Sequence, residues 1–472
     1  GVIEACFHSG GDFDRMERAA VQAQSLLRRS SRQPRELRAR LLLALGTAWF
    51  FIGRLNRAAD TLQQAMDLFR STGDRFSQIS CAIYLAPCAL YQGDFPRARD
   101  AIRKGFEAQR TIPDEPGGEA ALLLVRAMSA LFEGAFSEAQ ESLDACRRLA
   151  REFHLEAIDL LVLDIGGWLK IAQGDYHGAE TLLEECRRKG EESEKIFFSV
   201  SAAHLLSIVH LFRRKLDKAK RMSDFALASP RQSKSRLFHA IYLIVSGAIQ
   251  MECNEWDRAE QELLAALSLL RGCNAAQQEA NAHLMLARFY GRTNRPDKAR
   301  RHLRKGFSIG QERDFAYYAT FTPNELRELA REAVANGICT DYCSRLLGQQ
   351  ALIAAAPVTV RCLGGFQVTK DGEPIADARW KGRRTKMLVK VLAAHHGREL
   401  SRETVVDILW PDAPPEKHGQ LFRTRLHRAR AVLDPVEGRA RDGSCIVLIE
   451  GHVALNRNLV WTDTGAFLNA LK

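Results

Sequence analysis

The heptapeptide "QGDFPRA", residues 92–98, decides how most of the chain folds, because variants of it recur at a fixed interval. "IGRLNRA" (52–58), "EGAFSEA" (133–139) and "QGDYHGA" (173–179) are close copies, and "RRKLDKA", "CNEWDRA" and "TNRPDKA" are degenerate ones. Their closing alanines, Ala58, Ala98, Ala139, Ala179, Ala219, Ala259 and Ala299, stand 40 residues apart with a single step of 41. Two further columns keep the same ruler. Twelve residues before each alanine stand Gly46, Ala86, Ala127, Gly167, Ser207, Gly247 and Ala287; seven after stand Ala65, Gly105, Cys146, Cys186, Ala226, Ala266 and Gly306. All are small. Small side chains recur where two helix backbones approach closely, so a fixed turn between two such positions predicts an antiparallel helix pair. Leu62, Ile102, Leu143, Leu183, Leu263 and Leu303 supply a larger knob between them, with Ser223 the exception. Cys146 and Cys186 read as packing residues, since free cysteine behaves as a small hydrophobe.

The small-residue pairs and the Gly-Asp-aromatic turn resemble tetratricopeptide architecture. The period exceeds the usual length of about 34, which implies longer helices, as in the sensor domain of MalT-like regulators. "SGGDFDRM" (9–16) resembles the turn of an earlier, incomplete repeat. The expectation is a mainly α protein whose residues 1–314 form a superhelix of about seven to eight helix pairs. "FTPNELRELAREAVANGICTDYCSRLLGQQ" (321–350) reads as two short helices broken at Asn336-Gly337, so residues 315–350 form a helical tail like that of MalT-like regulators. A linker, 351–357, follows.

Bulk composition narrows the function classes. At 472 residues, 46% of them apolar, the chain is long enough for more than one core. The net charge is +11, and from Pro357 onward 19 Lys+Arg face 13 Asp+Glu, so the C-terminus is where a polyanion would bind best. Eleven scattered cysteines without a C-x-x-C pair suit a reducing, cytoplasmic setting rather than a disulfide framework or zinc ribbon. The apolar runs at 41–53 and 240–251 fall short of the roughly 20 residues that a membrane span needs, and no secretory signal opens the chain. Thirteen dispersed histidines, and no nucleophile motif or paired-carboxylate signature, argue against an enzyme and against a cofactor or metal.

From Val358 the pattern changes to alternation. "VTVRCLGGFQVTKDGEPI" predicts short strands around a Lys370-Asp371-Gly372 turn. Three helices are expected next: one over Arg384–His395 with Met387, Leu388, Val391 and Leu392 on one face, one capped by Ser401 and ending at Trp410-Pro411, and one from Glu416 to Leu433. On the third, Phe422, Leu426, Ala429 and Leu433 make a narrow apolar stripe. The opposite side carries Lys417, Gln420, Thr424, His427 and Arg428, with Arg423 and Arg430 on one flank and Arg425 on the other. No acid lies between Gln420 and Leu433 to neutralise them. "SCIVLIEGHVALN" (444–456) alternates into a hairpin around Glu450-Gly451, after the basic loop "EGRARDG" (437–443).

These segments, with the LGGFQV opening and the Leu409-Trp410-Pro411-Asp412 string, resemble the OmpR-type DNA-binding domain of SARP-like bacterial transcription activators over about residues 358–468, within an expected domain of 358–472. The resemblance implies a small α+β winged helix whose third helix enters the major groove, with promoter DNA and RNA polymerase as partners. Gln420, Arg423, Thr424 and His427 are then the expected base contacts, and Arg383, Arg384, Lys417, Arg425, Arg428 and Arg430 the phosphate contacts. Trp410 reads equally as a core residue or as part of a polymerase-facing loop.

In MalT-like regulators the repeats bind an inducer or a protein, and an upstream ATPase drives assembly. This sequence has no G-x-x-x-x-G-K-[ST] loop, and Gly1 opens within repeat-like sequence, so the expectation is a piece of a longer regulator that forms homo-oligomers. Processing or tagging gives the same start. Asp164, Trp168 and His204 fall on the expected concave side, where an aromatic plate, a carboxylate and an imidazole suit a sugar or other small polar ligand; Tyr290 and Arg288 are weaker candidates. The alternative reading is a protein-binding repeat scaffold without DNA affinity.

Overall fold

In each repeat the chain reverses on one residue with left-handed backbone. Gly53, Gly93, Gly134 and Gly174 hold φ between 73° and 88°, and in the degenerate copies Arg214, Asn254 and Asn294 hold 54° to 62° at the same point of the period. A left-handed residue ends a helix by returning its amide to the last turn's carbonyls. Asp94 then starts the next helix by accepting a hydrogen bond from the Arg97 amide at 3.1 Å. The Gly-Asp pair is thus a stop and a start.

The computed structural model describes residues 18, 20–25, 34–229, 235–348, 358–370, 373–395, 399–434, 444–449, 451–456 and 459–470. The expected remnant repeat at 9–16, the linker at 351–357, the Asp371-Gly372 turn, the basic loop at 437–443 and Glu450 lie outside the described residues. The chain divides into two compact units, one of Gly1–Ala172 with Gly178–Leu347 and one of Gly348–Lys472 with Gln173–His177.

The first unit is a tetratricopeptide-like superhelix. Its helix pairs are α1 (Arg35–Ile52) with α2 (Leu55–Thr72), α3 (Arg75–Gln92) with α4 (Phe95–Gln109), α5 (Pro116–Phe132) with α6 (Phe136–Glu152), and α7 (Glu156–Ala172) with α8 (Tyr176–Glu192). They continue with α9 (Ile196–Phe212) and α10 (Leu216–Ala228), α11 (Arg236–Glu252) and α12 (Trp256–Leu270), and α13 (Ala276–Arg292) and α14 (Pro296–Arg313). The small-residue columns sit where the helices cross. A Cβ on Gly46 would lie 2.6 Å from Leu62 Cγ, one on Gly167 2.4 Å from Leu183 Cδ2, and one on Gly247 2.7 Å from Leu263 Cγ. Each knob therefore fills the hole left by a missing side chain in its own pair. Cys146 and Cys186 pack as expected, their thiols donating to the Ala120 and Leu160 carbonyls at 3.2 and 3.5 Å.

The array curls back on itself. The Ser235 hydroxyl, at the start of α11, donates to the Phe51 carbonyl at 2.6 Å, and the Asn274 amide donates to Asn56 Oδ1, also at 2.6 Å. Beside them the Phe51 and Phe197 rings meet edge to face at 6.3 Å, and a Cβ on Gly53 would lie 3.0 Å from the Leu237 amide. The first pair thus touches the sixth. After α14, Phe315 reaches the Phe95 ring at 6.0 Å, and α15 (Pro323–Ala335) and α16 (Thr340–Gly348) form the expected tail, broken where Gly337 takes φ 65°. A capping box between Thr322 and Glu325 starts α15.

The second unit holds two small sheets, four α-helices and a short 3-10 helix (Asp377–Trp380) among its described residues. One sheet has the order β3-β2-β1-β7, built from β1 (Val358–Arg361), β2 (Gln367–Lys370), β3 (Glu373–Pro374) and β7 (Val460–Thr462), with β7 parallel to β1. The other is antiparallel, β4 (Leu400–Ser401), β6 (His452–Leu455) and β5 (Ile446–Ile449) in that order. Three of the α-helices are α17 (Arg383–Ala394), α18 (Arg402–Leu409) and α19 (Pro415–Leu433). Ser401 caps α18 by accepting from the Thr404 amide at 3.1 Å. Leu388, Val391 and Leu392 are buried as expected, but Met387 is 40% exposed and lies outside the core face. A fourth helix, α20 (Asp463–Ala470), was not legible in the sequence; Asp463 ties its start to the Cys362 and Leu363 amides at 2.8 Å.

Candidate functional site

The apolar stripe of α19 orients its charge. Phe422, Leu426, Ala429 and Leu433 are all buried, at most 5% exposed, so the far side of the helix is turned outward. Lys417, Gln420, Arg423, Thr424 and His427 are exposed there. Among the described residues none of the basic side chains on this helix pairs with a carboxylate. Thr424 spends its hydroxyl on the Gln420 carbonyl at 2.8 Å, and Arg423 donates from Nε to the Gly419 carbonyl at 3.1 Å, leaving the rest of its guanidinium outward.

The other arginines are partly spent on the fold. Arg430 donates from Nε and Nη2 to the Ile446 carbonyl at 3.0 and 2.7 Å, fastening α19 to β5. This differs from the free phosphate contact expected of it. Arg428 donates to the Lys381 carbonyl at 3.2 Å. Arg425 is half-buried near Gly382, and burial, with the Arg428 and Arg384 cations, lowers its pKa. Arg383 and Arg384 are exposed at the start of α17, and Arg384 lies over the Trp410 ring at 5.9 Å. Trp410 is 2% exposed, a core residue rather than a loop contact.

In the superhelix, the interior-facing first helices bring together part of the expected trio and several residues that were not anticipated. Asp164 and Trp168 lie one turn apart on α7. It is Ser201 of α9, not His204, that reaches the carboxylate, donating to Asp164 Oδ2 at 3.1 Å. Asp164 Oδ1 is out of solvent and without a partner. Burial lifts the Asp164 pKa to about 7, against the Ser201 hydrogen bond that lowers it. Trp168 meets the Phe132 ring edge to face at 5.3 Å, and Phe132 meets Tyr91 at 5.5 Å. The His204 ring meets that of Tyr242 at 4.7 Å with a tilt of 39°, and burial pushes its pKa down to about 3. It is a neutral packed ring, not an open groove residue. Tyr290 and Arg288 are engaged: Tyr290 donates to Glu260 Oε1 at 2.8 Å, and Arg288 pairs with Glu252 and Glu325 at 2.8 and 2.7 Å. Phe51, Tyr91 and Phe132 share one column, seven residues before the ruler alanines, a signal that would have found two of the missed rings.

Among the described residues no cluster of metal-ligating side chains occurs, and no helix is long and apolar enough to cross a membrane. Residues 115–230, from the third to the fifth helix pair, match the family model described as Suppressor of spindle checkpoint defect 1 C-terminal domain. No curated protein matches the chain. Among solved structures, a Rap protein complexed with Competence and Sporulation Factor is similar over 67% of this chain and 88% of its own, at 12% identity and a TM-score of 0.48. A tetratricopeptide repeat protein from Parabacteroides merdae covers 67% of this chain and 99% of its own, at 14% identity and a TM-score of 0.37. Yeast Tom70 covers 70% and 62%, at 13% identity and a TM-score of 0.37.

Proposed function

We propose that this chain is a bacterial transcription regulator, an activator by its resemblance to SARP-like proteins, that binds promoter DNA through its C-terminal unit and receives a ligand or protein signal through the repeat superhelix. The observation that carries this reading is the outward side of α19. Five side chains able to contact bases or phosphates, Lys417, Gln420, Arg423, Thr424 and His427, are exposed on a helix seated by its apolar stripe. Gln and Arg make bidentate contacts to adenine and guanine, and unpaired cations gain most from a phosphate backbone. Contact with RNA polymerase and homo-oligomer formation belong to the same proposal, and rest on the family resemblance alone.

The test is a salt titration of binding to duplex DNA. Release of counterions from Z phosphates gives a log–log slope of about −0.9Z, so a steep slope is expected. Selection of bound genomic fragments would then give the operator. Unchanged duplex affinity after removal of residues 357–472 would favour the second reading, a protein- or peptide-binding repeat scaffold without DNA affinity. That reading is favoured by the superhelix itself, a stack of helix pairs from α1 to α14.

A further inference from the structure

We propose that the interior of the repeat superhelix binds a small organic ammonium ion, which donates an N–H to Asp164 Oδ1 and lays its apolar part against Trp168 and Tyr91, the two rings that the fully buried Phe132 backs. This rests on the reading of the superhelix as the signal-receiving part and names the class of its ligand. The argument begins with an imbalance. Of the two carboxylate oxygens, Oδ2 accepts the Ser201 hydroxyl at 3.1 Å, while Oδ1 is sealed from solvent and accepts nothing. A buried carboxylate oxygen left bare is costly, and the more so when no cation balances it.

Among the described residues none supplies that cation. No Lys or Arg pairs with Asp164, and no positive side chain acts on its titration. His204, forty positions on in the same column, is held neutral by burial. One turn along α7 from the carboxylate, Trp168 begins a run of aromatic rings. Phe132 stands between Trp168 and Tyr91, at 5.3 and 5.5 Å, with both contacts edge to face. Burial, and then the Asp164 charge, hold the Tyr91 and Tyr242 phenols protonated, so residues of the second and sixth pairs approach the same carboxylate. Rings beside a single unbalanced carboxylate suit a cation, which gains from π faces and from the charge together. A polyol would ask instead for several donors and acceptors at once. The closure of the first pair on the sixth favours a small guest over a folded one.

The experiment is thermal denaturation of the full chain at pH 8 with n-butylammonium and 2-phenylethylammonium, against n-butanol and 2-phenylethanol as uncharged matches, each up to about 10 mM, a range that reveals even millimolar affinity. At least one ammonium is expected to raise Tm by several degrees where its alcohol does not, and the effect is expected to shrink as pH falls through 7 and Asp164 takes up its proton. Asp164→Asn, whose amide oxygen still accepts from Ser201, is expected to abolish the response. The proposal is overturned if neither ammonium exceeds its alcohol, or if Asp164→Asn responds like the unaltered chain; should that variant fail to fold, the ammonium–alcohol comparison decides alone. Duplex DNA binding is measured on the same protein. A Tm response without duplex binding upholds the site and removes the regulator reading, whereas duplex binding without a Tm response does the reverse.

Discussion

Arg423 and Arg430 stand seven positions apart on α19, and what each touches separates recognition from stability. Arg423 keeps most of its guanidinium outward, so Arg423→Ala is expected to weaken duplex binding by roughly 1–3 kcal/mol and to relax specificity at one base pair while leaving Tm unchanged. Arg430 gives two hydrogen bonds to the Ile446 carbonyl, so Arg430→Ala is expected to destabilise the C-terminal unit by roughly 1–3 kcal/mol, read from denaturant unfolding. Gln420→Ala is expected to relax discrimination at one base pair by roughly 1–3 kcal/mol, measured by competition among operator variants. Helical periodicity alone distinguished the buried stripe from the charged side, but it could not assign Arg430 to the fold. Its partner is a carbonyl on a strand whose position depends on the hairpin. In the superhelix two titrations run in opposite directions. Asp164 has a raised pKa of about 7, so its contribution is fully present below the ordinary carboxylate range and is lost as pH rises through 7, by roughly 2–4 kcal/mol. His204 has a lowered pKa of about 3, so its contribution is present above about 6.5 and is lost as pH falls toward 3. Asp164→Asn is therefore expected to gain stability relative to the unaltered chain above pH 7 and not at pH 4, as followed by urea unfolding at each pH.

Helix pairs are set by what is missing as much as by what is present. Gly167→Ala would press a methyl to 2.4 Å from Leu183 Cδ2, an overpacking expected to cost roughly 1–3 kcal/mol, and Leu183→Ala would open a cavity costing roughly 2–5 kcal/mol. Combined, they are expected to cost less than their sum, because the new methyl enters the space that the leucine leaves; a double-mutant cycle on unfolding free energy measures the coupling. This part of the fold was legible because the same crossing recurs with the period, and each column repeats one packing problem. The turns were legible for the same reason, with Asn254 and Asn294 taking over the left-handed backbone from glycine. What the period did not reveal was α20, whose short "DTGAFLNA" has no repeating partner and depends on Asp463 reaching amides some 100 residues earlier. Met387 was misassigned because the buried face of α17 is turned toward Thr385, Val389 and Ala393, which leaves Met387 at its edge.

At the scale of the whole superhelix, the contact between Ser235 and Phe51 spans 184 residues, and no repeat-by-repeat reading anticipates it. Periodicity encodes how neighbours pack; the pitch that brings the sixth pair back to the first is a sum of small rotations that the sequence spells out nowhere. Ser235→Ala is expected to lower stability by roughly 1–3 kcal/mol and, in hydrogen exchange, to speed the amides around Gly53; loss of the helix cap alone would leave those amides unchanged. Open solenoids fray from their ends and accept extra units freely. Here adding or deleting a pair between Phe51 and Ser235 would bring a different carbonyl to that hydroxyl, so the tally of units between the two is locked by a handshake between distant parts.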